Sequence, residues 1–191
     1  MLCFVGMIIL LRVVSAYPKE ALIIFSIAVS VGIAYLVLQI WKKVEAKRRK
    51  NAEILAIKTI SQVQQRFLSN PYEFEGYVAD LFSWLGYKAE TTTKTKDTGK
   101  DIIMHKDGVK YVVEVKLYGV YNKISREKVQ KLHAAKYDSK AQRAVYVTTS
   151  EYTKEAREYA ERNDIWLIDG IALSQMIDER RQAMLAKTAK D

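Results

Sequence analysis

Along this chain the pattern of apolar and polar positions changes character at residues 21, 42 and 70. Residues 21 to 41, from Ala21 through Phe25, Tyr35 and Leu38 to Trp41, hold no charged side chain. At about 1.5 Å per residue such a run crosses a hydrocarbon core as one helix. Residues 1 to 17 are apolar too, but shorter, and carry Arg12. Two arrangements stay open for them: a second transmembrane helix forming a hairpin that turns at Pro18-Lys19-Glu20, which is preferred, or a signal segment cleaved near Val14-Ser15-Ala16 without the usual basic stretch before it. Residues 42 to 69 lack Pro and Gly and predict one long helix. Within it Ala56, Ile60, Val63 and Phe67 make a short seam, which packs against its own domain or against a second copy as a homodimer.

Beyond residue 70 helical and alternating stretches interleave. A helix is predicted over 71 to 85, with Asn70 as N-cap, Pro71 at its first position, Glu73 completing a capping-box-like start and Gly86 as its stop. Its apolar stripe is Phe74, Tyr77, Val78, Leu81, Phe82 and Leu85, and Glu75 lies at the edge of that stripe. Strands are expected near 87 to 93, 100 to 106, 109 to 117, 143 to 149 and 165 to 168, with helices at 126 to 137, 153 to 163 and 170 to 180 and a polar tail at 181 to 191. This alternation predicts an α/β core with helices on both faces of its sheet.

The sharpest local signal is Asp107-Gly108 between two strand-like runs, a hairpin turn. A loop centred there sets Asp101 opposite Glu114, Ile103 opposite Val112 and Met104 opposite Tyr111, and alternation puts Lys116 on the face of Glu114. Ile102, Met104, Val113 and Val115 fall on the other, apolar face. Two carboxylates at cross-strand distance repel unless a cation lies between them, and an all-oxygen pair with room for water suits Mg²⁺. A bound Mg²⁺ polarises a phosphoryl oxygen and acidifies its water; Lys116 then orients or deprotonates that water, or stabilises the charge on phosphorus. A plain salt bridge on a solvated face is the competing reading of the same spacing.

Charge narrows the picture by its location. The 191 residues carry a net +9, and 49% are hydrophobic, enough for one ordinary domain plus the N-terminal apolar segment. Residues 1 to 70 hold 10 Lys and Arg against 3 Asp and Glu, a net +7, whereas residues 71 to 191 hold 21 against 19, a net +2. The excess is the cluster Lys42, Lys43, Lys47, Arg48, Arg49 and Lys50. By the positive-inside rule it places everything after the apolar run on the cytoplasmic side of the cell membrane, and it can touch anionic membrane lipid. Cys3 is the sole cysteine, so no intramolecular disulfide forms, and His105 and His133 have no partners at metal-ligand spacing. No Walker loop, dinucleotide fingerprint or serine-nucleophile motif occurs, so no nucleotide cofactor is expected.

Gly99-Lys100-Asp101, followed at strand spacing by Val113-Glu114-Val115-Lys116-Leu117-Tyr118-Gly119, resembles the Asp…(Asp/Glu/Gln)-x-Lys signature of the PD-(D/E)xK nucleases. The flanks resemble the catalytic domain of Mrr-type restriction endonucleases over roughly residues 70 to 180: Pro71 through Tyr87 its opening helix, Ala144 through Ala156 a later strand and helix, Ile165 through Gly170 the final strand. Two departures are Lys100, where the family often has a second Gly, and Glu114, where it often has Gln. The resemblance implies a restriction-endonuclease-like core, a central mixed sheet flanked by helices, and a Mg²⁺-dependent endodeoxyribonuclease acting on double-stranded DNA, in restriction of foreign or modified DNA. It implies Asp101, Glu114 and the Val115 carbonyl as metal ligands, Lys116 as the group serving the attacking water, and Glu75 as an assisting helix-borne acid.

Lys123, Arg126, Lys128 and Lys131, with Tyr118, Tyr121 and the Ser125 cap, are candidates for gripping phosphates; Thr148 and Thr149 are DNA contacts by resemblance only. The domain organisation expected is a membrane anchor over 1–41, a basic linker helix over 42–69, the endonuclease domain over 70–180 and a tail. The rival function is a catalytically silent nuclease fold that tethers DNA or a protein partner to the membrane.

Overall fold

The computed structural model describes residues 18–92, 100–119 and 121–189; the apolar stretch expected to form a first membrane helix, 1 to 17, lies outside them. The chain divides into two compact units, Met1–Glu53 and Ile54–Asp191. Helix α1, Pro18–Ala56, contains the uncharged run. Its segment Leu22–Arg49, which contains an 18-residue window with a mean hydropathy of 2.3, is long and apolar enough to cross a membrane, and side chains such as Leu22, Phe25, Leu36 and Trp41 are exposed along it.

The single helix expected over 42 to 69 is interrupted. After α1 ends at Ala56, α2 runs from Ile60 to Phe67. The cause is a capping box: Gln62 N donates to Thr59 Oγ1 (3.3 Å), and Thr59 N and Lys58 N donate to Gln62 Oε1 (3.2 and 2.7 Å). Burial reinforces the break, because Val63 and Phe67 enter the core of the domain that follows, with Ile60 packed beside them. Each such side chain contributes about 1.5–3 kcal/mol, more than is gained by continuing a straight helix through three residues. Ile60, Val63 and Phe67 of the seam are therefore used within their own chain, while Ala56 is exposed.

Helix α3, Pro71–Trp84, buries Phe74, Tyr77, Val78, Leu81 and Phe82 as its stripe predicts. Its start differs in detail from a capping box: the Asn70 side chain donates to Glu73 Oε1 (3.0 Å) instead of capping a backbone amide, and Arg66 pairs with Glu73 Oε2 (3.2 Å). Its end is a Schellman turn. Gly86 takes φ +86°, Gly86 N donates to Ser83 O, Tyr87 N donates to Phe82 O, and the Phe82 and Tyr87 rings meet edge to face at 5.6 Å.

Five strands follow: β1 Lys88–Thr91, β2 Ile102–Lys106, β3 Val109–Lys116, β4 Arg143–Thr148 and β5 Ile165–Ile168. They lie in sequence order in one mixed sheet, antiparallel from β1 to β3 and parallel from β3 to β5. The crossovers carry α4, Arg126–Asp138, and α5, Lys154–Arg162, and the last helix is α6, Gly170–Thr188. One sheet face, with Ile102, Met104, Val113, Val115, Val145 and Val147, packs against α2, α3 and α6; the other, with Val112, Ala144 and Tyr146, packs against α4 and α5. The α/β architecture is thus the one the alternation predicts. The polar tail expected from 181 is instead helical to Thr188, since Met184 still packs against the core.

Candidate active site

The site begins with the turn. Asp107 (φ +51°) and Gly108 (φ +77°) both adopt the left-handed conformation that a two-residue hairpin requires. The resulting register pairs Ile102 with Val113, Ile103 with Val112 and Met104 with Tyr111, as the sequence predicts. Alternation then directs Glu114 to the α4 and α5 side, next to Tyr146 across the parallel pair. Asp101 lies just before β2 rather than in the ladder opposite Glu114. Its N–H donates to Val113 O (2.8 Å), its carbonyl accepts from Thr92 N (2.8 Å), and its Oδ2 accepts the Val115 N–H at 2.7 Å. The carboxylate thus substitutes for a strand carbonyl, which fixes its position at the end of the hairpin.

Lys116 Nζ lies 2.6 Å from Glu114 Oε1 and 3.5 Å from Asp101 Oδ2, so the three predicted residues converge. Glu114 is buried, at 7% exposure, and its Oε2 is buried without a hydrogen-bond partner. Burial first, and then the negative charge of Asp101, push the Glu114 pKa up; Lys116 and Lys131 pull it back without reversing the shift. For Lys116 burial acts downward, but Glu114 and Asp101 outweigh it and the ammonium is held above its ordinary pKa. Two mutually repelling carboxylates, one with a buried unpartnered oxygen, are a donor set that fits a hard, oxygen-seeking cation. Among the described residues no third Asp, Glu, His or Cys completes a metal-holding group; Glu75 lies half-buried on α3.

The weaker candidates fare unevenly. Thr148 and Thr149 are buried, at 0% and 1% exposure, so the expectation that they touch DNA is corrected. Thr148 Oγ1 donates to Lys116 O (2.9 Å), and Thr149 Oγ1 donates to Tyr118 O (2.8 Å) while accepting from Tyr118 N (2.9 Å). They continue the strand pairing where the ladder ends. Lys123 is paired with Glu151 at 2.7 Å, and Arg126 lies over the Tyr159 ring at 5.4 Å. Ser125 makes no side-chain cap; its hydroxyl bonds to Glu127, which sits in the first turn of α4 where an external anion was expected. Lys128 and Lys131 stay exposed on α4, Lys128 Nζ bonding to Tyr118 Oη (2.9 Å) and Lys131 acting on Glu114 through its charge.

Two contributors escape the motif. Lys100, the departure before Asp101, reaches Ser139 Oγ at the end of α4 (2.7 Å). Gln64, in the stretch that reads as a linker, donates through Nε2 to Tyr118 O (2.7 Å) and Thr149 O (3.3 Å).

A carboxylate pair and a lysine on a β-hairpin, within a mixed five-stranded sheet covered by helices, define the restriction-endonuclease-like class of nucleases. Residues 68–177, more than half of the chain, match the Mrr_cat restriction endonuclease model, and the chain belongs to that family. It is similar to the type IV methyl-directed restriction enzyme EcoKMrr of Escherichia coli (strain K12), with 28% identity over 130 residues covering 63% of this chain. The match spans 42% of that enzyme, so the chain accounts for less than half of its relative's length. The fold is shared with the MspJI restriction endonuclease in complex with a 27-mer oligonucleotide, at a TM-score of 0.53 and 17% identity over 69% of this chain and 35% of that one. It is shared equally with the DNA modification-dependent restriction endonuclease AspBHI, at 0.50 and 22% over 67% and 39%.

Proposed function

We propose that this chain is a membrane-anchored, Mg²⁺-dependent endonuclease that hydrolyses phosphodiester bonds of double-stranded DNA, with its nuclease domain on the cytoplasmic side. The observation that carries the reading is the buried, unpartnered oxygen of Glu114 beside Asp101, with Lys116 at their mouth. Asp101 and Glu114 would hold the divalent cation, with the Val115 carbonyl that the family resemblance implies. When bound, such a cation polarises a phosphoryl oxygen and makes a bound water more acidic.

The remaining work falls to the chain. Lys116, at the mouth of the carboxylate pair, serves the scissile phosphate or the water that attacks it. Val112, Tyr146 and Leu132 on the same side of the sheet keep the base of the site dry, so these charges act at lower dielectric. Lys128 and Lys131 are the exposed cations placed to neutralise flanking phosphates. Glu75 is an accessory acid on the strength of the resemblance. Modified DNA is the favoured substrate because EcoKMrr is described as methyl-directed and AspBHI as modification-dependent.

The test uses the full chain in detergent on supercoiled plasmid, methylated and unmethylated, with Mg²⁺ or with chelator. Metal-dependent nicking that falls about 10²- to 10³-fold in Lys116→Ala, the usual loss of one charge-stabilising donor, supports the reading. Equal DNA binding by both proteins without cleavage overturns it in favour of a silent tether, and neither cleavage nor binding removes DNA as the ligand.

A further inference from the structure

The last ladder pair between the parallel strands β3 and β4 is Lys116 with Thr148. Past it, residues 117 to 119 adopt no regular structure, yet they follow directly on the lysine at the centre of the site. Polar backbone groups at such strand ends need other partners. Thr149 supplies some: its N–H donates to Lys116 O (3.3 Å), and its hydroxyl both accepts from Tyr118 N and donates to Tyr118 O. The Tyr118 and Thr149 carbonyls together take the amide of Gln64, at 2.7 and 3.3 Å. A primary amide has two N–H donors, so a single side chain ties both strand ends.

Gln64 is itself firmly held. Its neighbour Val63 and, one turn on, Phe67 are buried in the core, and the Thr59–Gln62 capping box fixes the start of α2. This helix precedes the family-matched segment, which starts at residue 68. The latch therefore reaches from a helix outside the family-matched residues onto the segment that carries Lys116.

We propose that Gln64 is a positioning residue: its amide bridge immobilises the Lys116–Tyr118 segment and so keeps the Lys116 ammonium seated between Glu114 and Asp101. The kinetic consequence rests on the nuclease reading above; the structural one does not. Displacing a reacting group by about 1 Å can lower a rate about 10²-fold, which sets the scale of the effect.

The variants are Gln64→Ala, Gln64→Glu, which keeps the shape but turns lone pairs toward two carbonyls, and Gln64→Lys, which retains N–H donors. In the full chain in detergent, hydrogen exchange is followed in peptides covering 117–119 and 148–150, and plasmid nicking and DNA affinity are measured alongside. The expectation is exchange at least about tenfold faster in those peptides for the Ala and Glu variants, with β2 and the centre of β3 unchanged. The nicking kcat falls about 10- to 100-fold at unaltered DNA Kd, and Gln64→Lys recovers both. Unchanged exchange in those peptides overturns the proposal. So does uniformly faster exchange across the domain with kcat per folded molecule preserved, because that is the mark of a residue that only stabilises α2. A wild-type protein that never nicks DNA overturns the nuclease reading instead, while the exchange comparison still decides the latch.

Discussion

At Glu114 burial and charge pull in opposite directions, and the balance has a measurable sign. Burial, followed by Asp101, raises its pKa, so the native protein binds that proton more tightly than the unfolded chain does. Stability from this group is then highest in acid and falls as pH climbs from the ordinary carboxylate range, about 4.3, through the raised value. Glu114→Gln removes the penalty. In chelator at neutral pH its Tm should exceed that of wild type by a few degrees, and its stability should depend less on pH above about 4.3. Mg²⁺ should stabilise the wild type, by about 2.7 kcal/mol at a hundredfold excess over its Kd, and stabilise the variant less, because the amide keeps an oxygen ligand but lacks the charge. Scanning calorimetry with and without Mg²⁺ decides this, and a lower Tm for the variant in chelator would mean that the Lys116 ion pair outweighs burial. Lys116 has the opposite linkage: its pKa is raised, so its contribution is complete at neutral pH and is lost only above the ordinary 10.5. With the two carboxylates as its partners, the ammonium is a donor and not a base. A cation held by the same carboxylates would cancel the negative field that keeps it so.

Elements with strong local chemistry are legible in the amino-acid sequence alone. Asp107-Gly108 determines the hairpin register because its left-handed turn admits little else, and the stripe of α3 determines which of its faces is buried. The break between α1 and α2 is hidden: helix formers fill 42 to 69, and the Thr59–Gln62 box that stops the helix is a short signal inside a long favourable pattern. Thr148 and Thr149 mislead for a different reason. Hydroxyls at a strand end read as exposed, but whether they are depends on α2 and α6, which approach that end from distant parts of the sequence. The closeness of this approach shows at Gly170, the first residue of α6. A Cβ there would lie 2.7 Å from the Thr149 carbonyl oxygen and 3.1 Å from its carbon, while Gly170 N donates to Ser150 O at 2.8 Å. The obstacle is backbone that also receives Gln64, so it cannot swing aside as a side-chain tip would. Gly170→Ala should destabilise the domain by about 1–3 kcal/mol, the usual range for overpacking, and loosen the Thr149 end of the latch. Urea unfolding measures the first; an unchanged midpoint would show that α6 can retreat by a few tenths of an ångström without loss.

The whole molecule joins an apolar helix to a nuclease-family domain, and its charge distribution argues for how the two are used. A freely diffusing DNA-binding protein has reason to concentrate basic residues around its binding face, yet here residues 71 to 191 are only +2 and the +7 of residues 1 to 70 lies mainly in Lys42, Lys43 and Lys47 through Lys50. That placement, directly after an uncharged run, is the one that orients a membrane helix. Cytoplasmic orientation would also give the domain access to the DNA and Mg²⁺ that the proposed activity would use. The full chain expressed in a bacterium should sediment with membranes and resist alkaline extraction, and a C-terminal fluorescent-protein fusion, which matures on the cytoplasmic side, should fluoresce. Deleting residues 1 to 41 should release the protein to the soluble fraction. Replacing the six basic residues by Gln should leave it in the membrane but mix its orientation, lowering fluorescence per molecule. Recovery of the unaltered chain in the soluble fraction would overturn the anchor. Membrane retention with a dark fusion would instead overturn the orientation, and with it the access to DNA on which the proposed activity depends.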